Sequence, residues 1–211
     1  MLHQKTYVVP KIETEENLQR LVLPIDQLNW PQFDYKPNAK VSLWYSTLSL
    51  CLFFEVEENH LLTTTQEISA SVCQDSCVEF FMSLDRGKSY YNFEFNATGT
   101  LYMAYRQSQN RKQKCLFLVE EILEVKTAPS LLKYSLVNQK GKNIPWSLQV
   151  EIPFSFFGGI EKFSQGFSAN FYKCADKADQ RHYLTSFPID GACPDFHRPD
   201  CFASFTLEMT Q

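Results

Sequence analysis

The sequence predicts an all-β protein: an antiparallel, jelly-roll-like β-sandwich of about ten strands with one or two short helices. The chain is rich in residues that favour strands, since it contains 18 Phe and 10 Tyr. From about residue 38 onward, apolar and polar residues alternate with a period of two, which is typical of half-buried strands. The long crossover helices that parallel strands require are missing from the pattern.

The elements follow in chain order. Prolines 10, 24, 31 and 37 interrupt the first 38 residues, where residues 13–21 predict a short helix. Alternation then predicts strands over residues 48–56, 76–84, 89–96, 100–106, 115–126, 132–138, 145–152, 166–174 and 202–209. Ala97-Thr98-Gly99 is a hairpin signal between two of them. Residues 154–160 predict a second short helix that ends at Gly158-Gly159.

Length and composition limit the class of protein. At 211 residues we expect a single domain over residues 1–211. Hydrophobic residues make up 44% of the chain, which suffices for a sizeable core and argues against disorder. The net charge is −4, whereas nucleic-acid-binding proteins need a basic surface, so a primary role in nucleic-acid binding is not expected. No apolar stretch is long enough for membrane insertion.

The N-terminal residues and the cysteines give information about the cellular compartment of the protein. Residues 1–7 contain no apolar segment of the kind found in signal peptides. We therefore expect a cytoplasmic protein if this N-terminus is native, and otherwise a periplasmic or secreted one. The seven cysteines are an odd number with irregular spacing, which favours reduced thiols over a disulfide framework.

Two neighbouring strand segments predict a polar sheet face. In residues 91–96 the alternation puts three aromatic rings on one face and Asn92, Glu94 and Asn96 on the other. Residues 75–81 alternate in the same way and add Glu79. Carboxylates and amides are suited to bind a hydroxyl-rich ligand. A simply solvated face would show the same pattern.

Two further segments add residues to this face. If the Phe and Ala residues of 167–171 are core, Asn170 and Tyr172 join the polar face, and Arg106 adds a charged donor. Pro194 and Pro199 stiffen a loop that presents a His and an Arg. The predicted ligand-binding residues are Glu79, Asn92, Glu94, Asn96, Arg106, Asn170, Tyr172, His197 and Arg198. Among the tryptophans, the stacking candidates are Trp30 and Trp44, whereas Trp146 follows a core pattern.

Catalysis has one candidate pair. Glycosidases use two carboxyls about 5 Å apart (retaining) or about 6.5–9.5 Å apart (inverting), and directly opposed residues on neighbouring strands lie about 5 Å apart. Glu79 and Glu94 fit this geometry, but almost any β-protein contains such a pair, so no catalytic residue is assigned. Nucleotide chemistry has no support, because neither GxGxxG nor a Gly-Lys-Ser/Thr loop is present.

Metal binding has weaker signals. Cys73 and Cys77 would lie ~13 Å apart in a straight strand, and could not hold one ion unless the chain bends between them. His197 and Cys201 are separated by the same number of positions in the sequence as Cys73 and Cys77. No metal ligand is therefore assigned. Calcium is left open as a cofactor, through Asp75, Glu79 or the 176–179 loop, although the EF-hand pattern is absent.

Several motifs in order carry a resemblance to a known family. They are Trp30, Lys40-Val41-Ser42-Leu43-Trp44-Tyr45, Asp75-Ser76-Cys77-Val78-Glu79-Phe80-Phe81, Tyr90-Tyr91-Asn92-Phe93-Glu94-Phe95-Asn96, Asn170-Phe171-Tyr172-Lys173-Cys174 and Pro194-Asp195-Phe196-His197-Arg198-Pro199. Together, over residues 25–208, they resemble the stand-alone proteins related to the family 9 carbohydrate-binding modules that are common in gut Bacteroidetes.

The resemblance implies a β-sandwich that binds a mono- or oligosaccharide without catalysis. It also implies a role in polysaccharide utilisation, with glycoside hydrolases as functional partners. The related modules of secreted xylanases hold the reducing-end sugar between two Trp rings and bind structural calcium. This sequence does not clearly match the paired Trp rings. A glycoside hydrolase that uses Glu79 and Glu94 is the alternative, and a haem- or metal-binding sandwich domain is the weaker one.

Overall fold

The computed structural model describes residues 5–12, 19–67, 70–116, 124–128 and 136–209, with backbone alone over 111–116 and 124–128. These residues form thirteen strands in two sheets. The two sheets pack face to face as a sandwich, which confirms the predicted fold class. The number of strands exceeds the predicted ten because short strands occur near the N-terminus and near residue 184.

Among the strands that the structure describes, every strand pair is antiparallel except β1 with β13. An isolated bridge between Lys11 and Tyr45 is also parallel. The eight-stranded sheet has the order β1 (Thr6–Val9), β13 (Ala203–Leu207), β11 (Phe167–Cys174), β5 (Cys77–Ser83), β6 (Ser89–Asn96), β7 (Leu101–Gln107) and β8 (Asn110–Leu116), with β12 (Tyr183–Thr185) paired to β11. The five-stranded sheet has the order β2 (Leu21–Pro24), β3 (Asn38–Tyr45), β4 (Ser49–Thr63), β10 (Val137–Pro153) and β9 (Glu124–Ala128).

Strands β1 and β2 form in the proline-interrupted region where no strand was predicted. Pro10 follows β1 and Pro24 ends β2, and both strands lie at sheet edges, where a missing backbone donor is tolerated. Of the predicted strands, residues 117–123 and 132–135 lie outside the described part of the chain.

The two predicted helices have different outcomes. In the first, residues 13–18 lie outside the described residues, and Leu21 begins β2. In the second, two single turns of 3-10 helix form instead, Phe154–Phe157 and Ile160–Phe163. Gly158 and Gly159 separate them with φ of 89° and 118°, values that an ordinary helix cannot accommodate. Further 3-10 turns are Val72–Gln74 and Pro199–Cys201.

The main core fills the space between the sheets. Phe80, Phe93 and Phe171 of three adjacent strands are fully buried there. Their rings stack, with centroids 5.9 Å apart for Phe80–Phe93 and 5.3 Å for Phe80–Phe171. Trp146 is 3% exposed in the same core, as its pattern predicted. The rings that alternate with polar residues along β6 therefore face inward.

The other face of the eight-stranded sheet is also covered. A second buried cluster lies there: Trp30, Val72, Cys77, Phe81, Tyr90, Tyr102, Ala104, Tyr172, Cys174, Ile189, Phe196 and Phe202. Residues 186–202, here called the covering loop, are fastened to this face. Ser186 N donates to Phe171 O at 2.9 Å, and Tyr172 Oη donates to Phe196 O at 3.1 Å. The polar face is therefore largely enclosed.

The part of the chain that the structure describes contains no helix with the length and apolar character that a bilayer crossing requires.

Candidate functional site

The covering loop leaves a cleft of about 180 Å³ over the eight-stranded sheet. Strands β5, β6 and β11 form its floor, and the loop and β12 form its walls. Its lining combines thiols, carboxyls and rings: Cys73, Glu79, Glu94, Cys174, Asp176, Tyr183, Pro194, Asp195, Phe196 and His197. Three predicted ligand-binding residues, Glu79, Glu94 and His197, therefore meet in one concave site.

Glu79 and Glu94 are direct cross-strand neighbours on β5 and β6. They are 3% and 7% exposed, respectively, so both carboxyls lie below the surface. Burial, and then the charge of Glu94, hold the pKa of the Glu79 carboxyl well above its ordinary range. Hydrogen bonds from Cys174 Sγ at 3.2 Å and Cys77 Sγ at 3.9 Å to Glu79 Oε1 act in the opposite direction.

The raised pKa predicts a pH dependence of stability. The folded state keeps a proton on Glu79 that the unfolded chain releases above its ordinary pKa of 4.5. This contribution is fully present below that pH and is lost as the pH rises, by up to about 1.4 kcal/mol per unit, until the pH passes the folded-state pKa. We expect Glu79→Gln to remove this loss. Denaturant unfolding of the wild type and of Glu79→Gln in metal-chelating buffer, between about pH 5 and 8, measures the free energy of unfolding at each pH. The same change of this free energy with pH in the two proteins would contradict the prediction.

A hydrogen-bonded chain of side chains orients Glu94. Asn92 Nδ2 donates to Glu94 Oε1 at 2.7 Å, and Arg106 Nε donates to Asn92 Oδ1 at 3.2 Å. Arg106 Nη2 also reaches Tyr102 Oη at 3.1 Å. The structure therefore brings Asn92 and Arg106 to the cleft indirectly, as partners of a carboxyl that lines it.

His197 lies at the rim and is held from two sides. Its Nδ1 is 3.0 Å from Tyr90 Oη, and its ring lies 5.1 Å from that of Phe81. Asp195 Oδ1 accepts a hydrogen bond from His197 N at 3.0 Å, which fixes this part of the covering loop. A rigid rim of this kind presents polar atoms without an ordering cost when a ligand binds.

Asn96 and Asn170 are fully buried and bind the chain itself. Asn96 Oδ1 accepts from the backbone N of Thr98 and of Thr100, which shapes the hairpin turn. Asn170 Nδ2 donates to Phe187 O at 3.1 Å, and its Oδ1 accepts from Phe187 N. Neither residue lines the cleft, and a direct sugar contact for either stays a prediction.

Tyr172 and Arg198 also serve the covering loop. The ring of Tyr172 is buried and stacks on Phe196 with centroids 4.3 Å apart. Arg198 Nη1 donates to Asp190 O at 2.6 Å, and its other nitrogens bind Asp200. Neither side chain lines the cleft, so for both a sugar contact stays a prediction.

The predicted stacking tryptophans are both largely buried. Trp30 is 1% exposed, packs near Tyr183 and Phe196, and donates from Nε1 to Gly191 O at 3.1 Å. Trp44 is 8% exposed on the five-stranded sheet, where the guanidinium of Arg20 lies 4.2 Å from its ring centroid. Both rings contact protein neighbours, and a stacking role for either stays a prediction.

Sequence reasoning missed several cleft residues. Asp195 and Phe196 belong to the proline-bounded loop that the sequence singled out, so a signal for them existed. Asp176 had been named only as part of a loop for calcium. Tyr183 had no signal, because it reaches the cleft through the short β12, which pairs with the end of β11.

Several oxygens of the residues named for calcium already have protein partners. Both oxygens of the buried Asp75 already accept hydrogen bonds, from Thr64 N and Oγ1 at 2.9 and 2.7 Å and from Asn96 Nδ2 at 3.0 Å. In the 176–179 loop, Asp179 pairs with Lys140 Nζ at 2.5 Å. Asp176 Oδ1 of the same loop has no hydrogen-bond partner among the described residues. A calcium ion needs six to eight oxygen ligands, and calcium binding by the named residues stays a prediction.

The straight-strand argument against a shared ion for Cys73 and Cys77 does not apply. Cys73 lies in the 3-10 turn Val72–Gln74, and β5 begins only at Cys77, so the chain bends between the two thiols. Neither thiol forms a disulfide, nor do the other cysteines in the part of the chain whose side chains are described.

Fold and cleft together define a class, that of β-sandwich modules with a small polar and aromatic binding site. The chain matches the sequence model of carbohydrate-binding family 9 over residues 8–207, and it belongs to that family. Its function class is carbohydrate binding. A comparison with curated proteins finds no significant match.

Solved structures share the fold. A candidate carbohydrate-binding protein from Bacteroides uniformis is 23% identical with a TM-score of 0.82, covering 97% of this chain and 100% of its own. A family 9 carbohydrate-binding module from Caldicellulosiruptor kristjanssonii in complex with cellotriose is 15% identical with a TM-score of 0.59, covering 98% of this chain and 95% of its own. A structure of such a module from the same organism with glucose has a TM-score of 0.50, with 14% identity and the same coverages.

Proposed function

We propose that the cleft over β5, β6 and β11 binds one sugar unit, either a monosaccharide or the terminal unit of an oligosaccharide. The observation that carries this is the convergence of the Glu94 and Asp195 carboxyls with the rings of Tyr183 and Phe196. Carboxylates accept hydrogen bonds from sugar hydroxyls, and ring faces pack on sugar C–H groups. Glu79 lies beneath them at the floor.

The size of the cleft supports a single sugar unit. About 180 Å³ is below the roughly 300–1,000 Å³ of pockets that enclose drug-sized ligands. A larger depression of 390 Å³ lies on the five-stranded sheet, but there Lys40 Nζ and Glu55 Oε2 pair with each other at 3.0 Å. That pairing leaves less free hydrogen-bonding capacity for a ligand.

The wider role is part of the same proposal. The Caldicellulosiruptor kristjanssonii modules in the comparison are complexes with cellotriose and glucose, which supports small β-glucans and glucose as first ligands to test. Binding of a terminal sugar unit suits polysaccharide utilisation, with glycoside hydrolases as functional partners that release such ends.

Calorimetric titration with glucose, cellobiose, cellotriose and a wider sugar panel tests the proposal. We expect binding by the wild type, and a loss of roughly 10- to 150-fold in affinity for Glu94→Gln or Asp195→Asn, because hydrogen bonds to charged groups contribute about 1.5–3 kcal/mol. Glu55→Gln, which alters a carboxylate of the other sheet, is the matched control and should bind as the wild type does.

Two outcomes would contradict the proposal. Folded protein that binds no sugar at millimolar concentration would remove it. A loss of affinity in Glu55→Gln with none in Glu94→Gln would move binding to the other sheet. Product analysis in the same samples tests the glycosidase alternative, for which sugar turnover that disappears in Glu79→Gln is the required result.

A further inference from the structure

The floor of the cleft holds a cluster of thiols and a carboxyl that the proposed sugar contacts do not use. Cys77 and Cys174 lie directly opposite each other on β5 and β11, and Glu79 follows Cys77 on the same face of β5. Their three potential ligand atoms lie within 4.8 Å of one another, and all three residues are buried. The register of two strands therefore creates the cluster.

The distances are close to those of a tetrahedral zinc site. Zn–S bonds of about 2.3 Å and Zn–O bonds of about 2.0–2.2 Å place neighbouring ligand atoms about 3.3–3.8 Å apart. Here Glu79 Oε1 lies 3.2 Å from Cys174 Sγ and 3.9 Å from Cys77 Sγ. Small side-chain rotations would suffice to bring the three atoms around one ion.

A third thiol, which is the fourth candidate ligand, and an entry path are present as well. The 3-10 turn places Cys73 in the cleft lining beside Cys174, whose Sγ lies 3.7 Å from Cys73 O. Asp176 N donates to Cys73 O at 3.1 Å, which ties this turn to the end of β11. Since Cys73, Glu79 and Cys174 all line the cleft, an ion can reach the cluster from solvent.

The local charge favours a cation. In the part of the chain that the structure describes, Glu79 forms no ion pair, and the carboxyls of Glu94 and Asp176 act on it, while the ammonium of Lys173 acts on Cys174. Binding of a divalent ion requires the thiolate form of the cysteines, so their protons would leave to solvent, and the ion would bring positive charge beside the carboxyls.

We propose that Cys77, Glu79 and Cys174, with Cys73 as the fourth ligand, bind a thiophilic divalent cation such as Zn²⁺ at the floor of the cleft. Thiolate-rich tetrahedral sites select Zn²⁺ over the oxygen-preferring Ca²⁺ and Mg²⁺. The site does not depend on the proposed sugar binding, and its closed ligand set is that of a structural ion.

Titration of the reduced protein with Co²⁺, followed by competition with Zn²⁺, tests the site without any sugar. We expect about one Co²⁺ per chain, with thiolate-to-metal charge-transfer absorption that Zn²⁺ abolishes. Cys174→Ser should weaken binding by at least about 10- to 100-fold, since even loss of an outer partner of a ligand costs that much. Cys51→Ser is the matched control, because Cys51 is similarly buried but lies on β4.

Folded, reduced wild-type protein without the charge-transfer band would overturn the proposal, and so would equal losses in Cys174→Ser and Cys51→Ser. If Cys174→Ser does not fold, Co²⁺ titration of Glu79→Gln replaces it. This variant should also bind Co²⁺ more weakly than the wild type, and equal binding by the two proteins would contradict the proposal. Failure here leaves sugar binding untouched, because the sugar titrations are performed separately.

Discussion

Lys173→Met should lower the free energy of unfolding by about 3–5 kcal/mol, because it strands a buried carboxylate. Lys173 and Glu58 are 0% and 1% exposed, and Lys173 Nζ lies 3.0 Å from Glu58 Oε2. Trp146 Nε1 donates to Glu58 Oε1 at 2.6 Å, and Lys173 Nζ also lies 3.0 Å from His182 Nε2. The pair joins β11 to β4 across the sandwich, and denaturant unfolding measures its loss.

A surface pair offers the control for this prediction. Lys40 and Glu55 also pair at 3.0 Å, but their side chains are 47% and 41% exposed, so Lys40→Met should change stability by only about 0–1 kcal/mol. Adding Glu58→Gln to Lys173→Met should recover part of the loss, since it removes the stranded charge. The same loss in free energy of unfolding for Lys173→Met and Lys40→Met would show that the buried pair contributes no more to stability than the surface pair.

Trp30→Ala should cost about 3–5 kcal/mol of stability and also weaken sugar binding. Trp30 fills the space beneath the covering loop, and its Nε1 donates to Gly191 O. Truncation would leave a cavity next to Phe196, which forms a wall of the cleft. Denaturant unfolding measures the first effect, and sugar titration under conditions in which the variant is folded measures the second.

Trp44→Ala separates the two effects. Trp44 is also buried, but it lies on β3 of the other sheet, so its truncation should destabilise the protein and leave the sugar affinity of the folded form unchanged. Limited proteolysis offers a readout without sugar, since only Trp30→Ala should expose the covering loop to cleavage. The same sugar affinity and cleavage pattern in both variants would refute a positioning role for Trp30.

The alternation along each strand was readable because side-chain direction in a strand depends only on position. Tyr91, Phe93 and Phe95 pack against the main core, whereas Asn92 and Glu94 lie on the other face, as the period of two requires. The same reasoning could not find β1 and β2, since the four-residue edge strands around prolines show too few alternations.

Side-chain alternation could not predict whether the polar face is open to solvent or covered by another part of the chain. Asn96 and Asn170 have the side chains of sugar-binding residues, yet their amides hold a turn and the covering loop. Whether an amide faces solvent, ligand or backbone depends on which distant segment lies over it. For this face that segment is residues 186–202, which follow β12 in the chain.

The sequence by itself determined the sandwich, the inward rings and the pairing of Glu79 with Glu94 on neighbouring strands, because these follow from local periodicity and from consecutive strands. Only the tertiary structure decided that the polar face is enclosed, that Trp30 and Trp44 are buried, and that Cys77 meets Cys174 beside Glu79. The contacts of Cys77 with Cys174 and of Trp30 with the covering loop join residues about a hundred or more positions apart, through the β5–β11 register and the return of that loop. Local side-chain alternation does not encode such pairings.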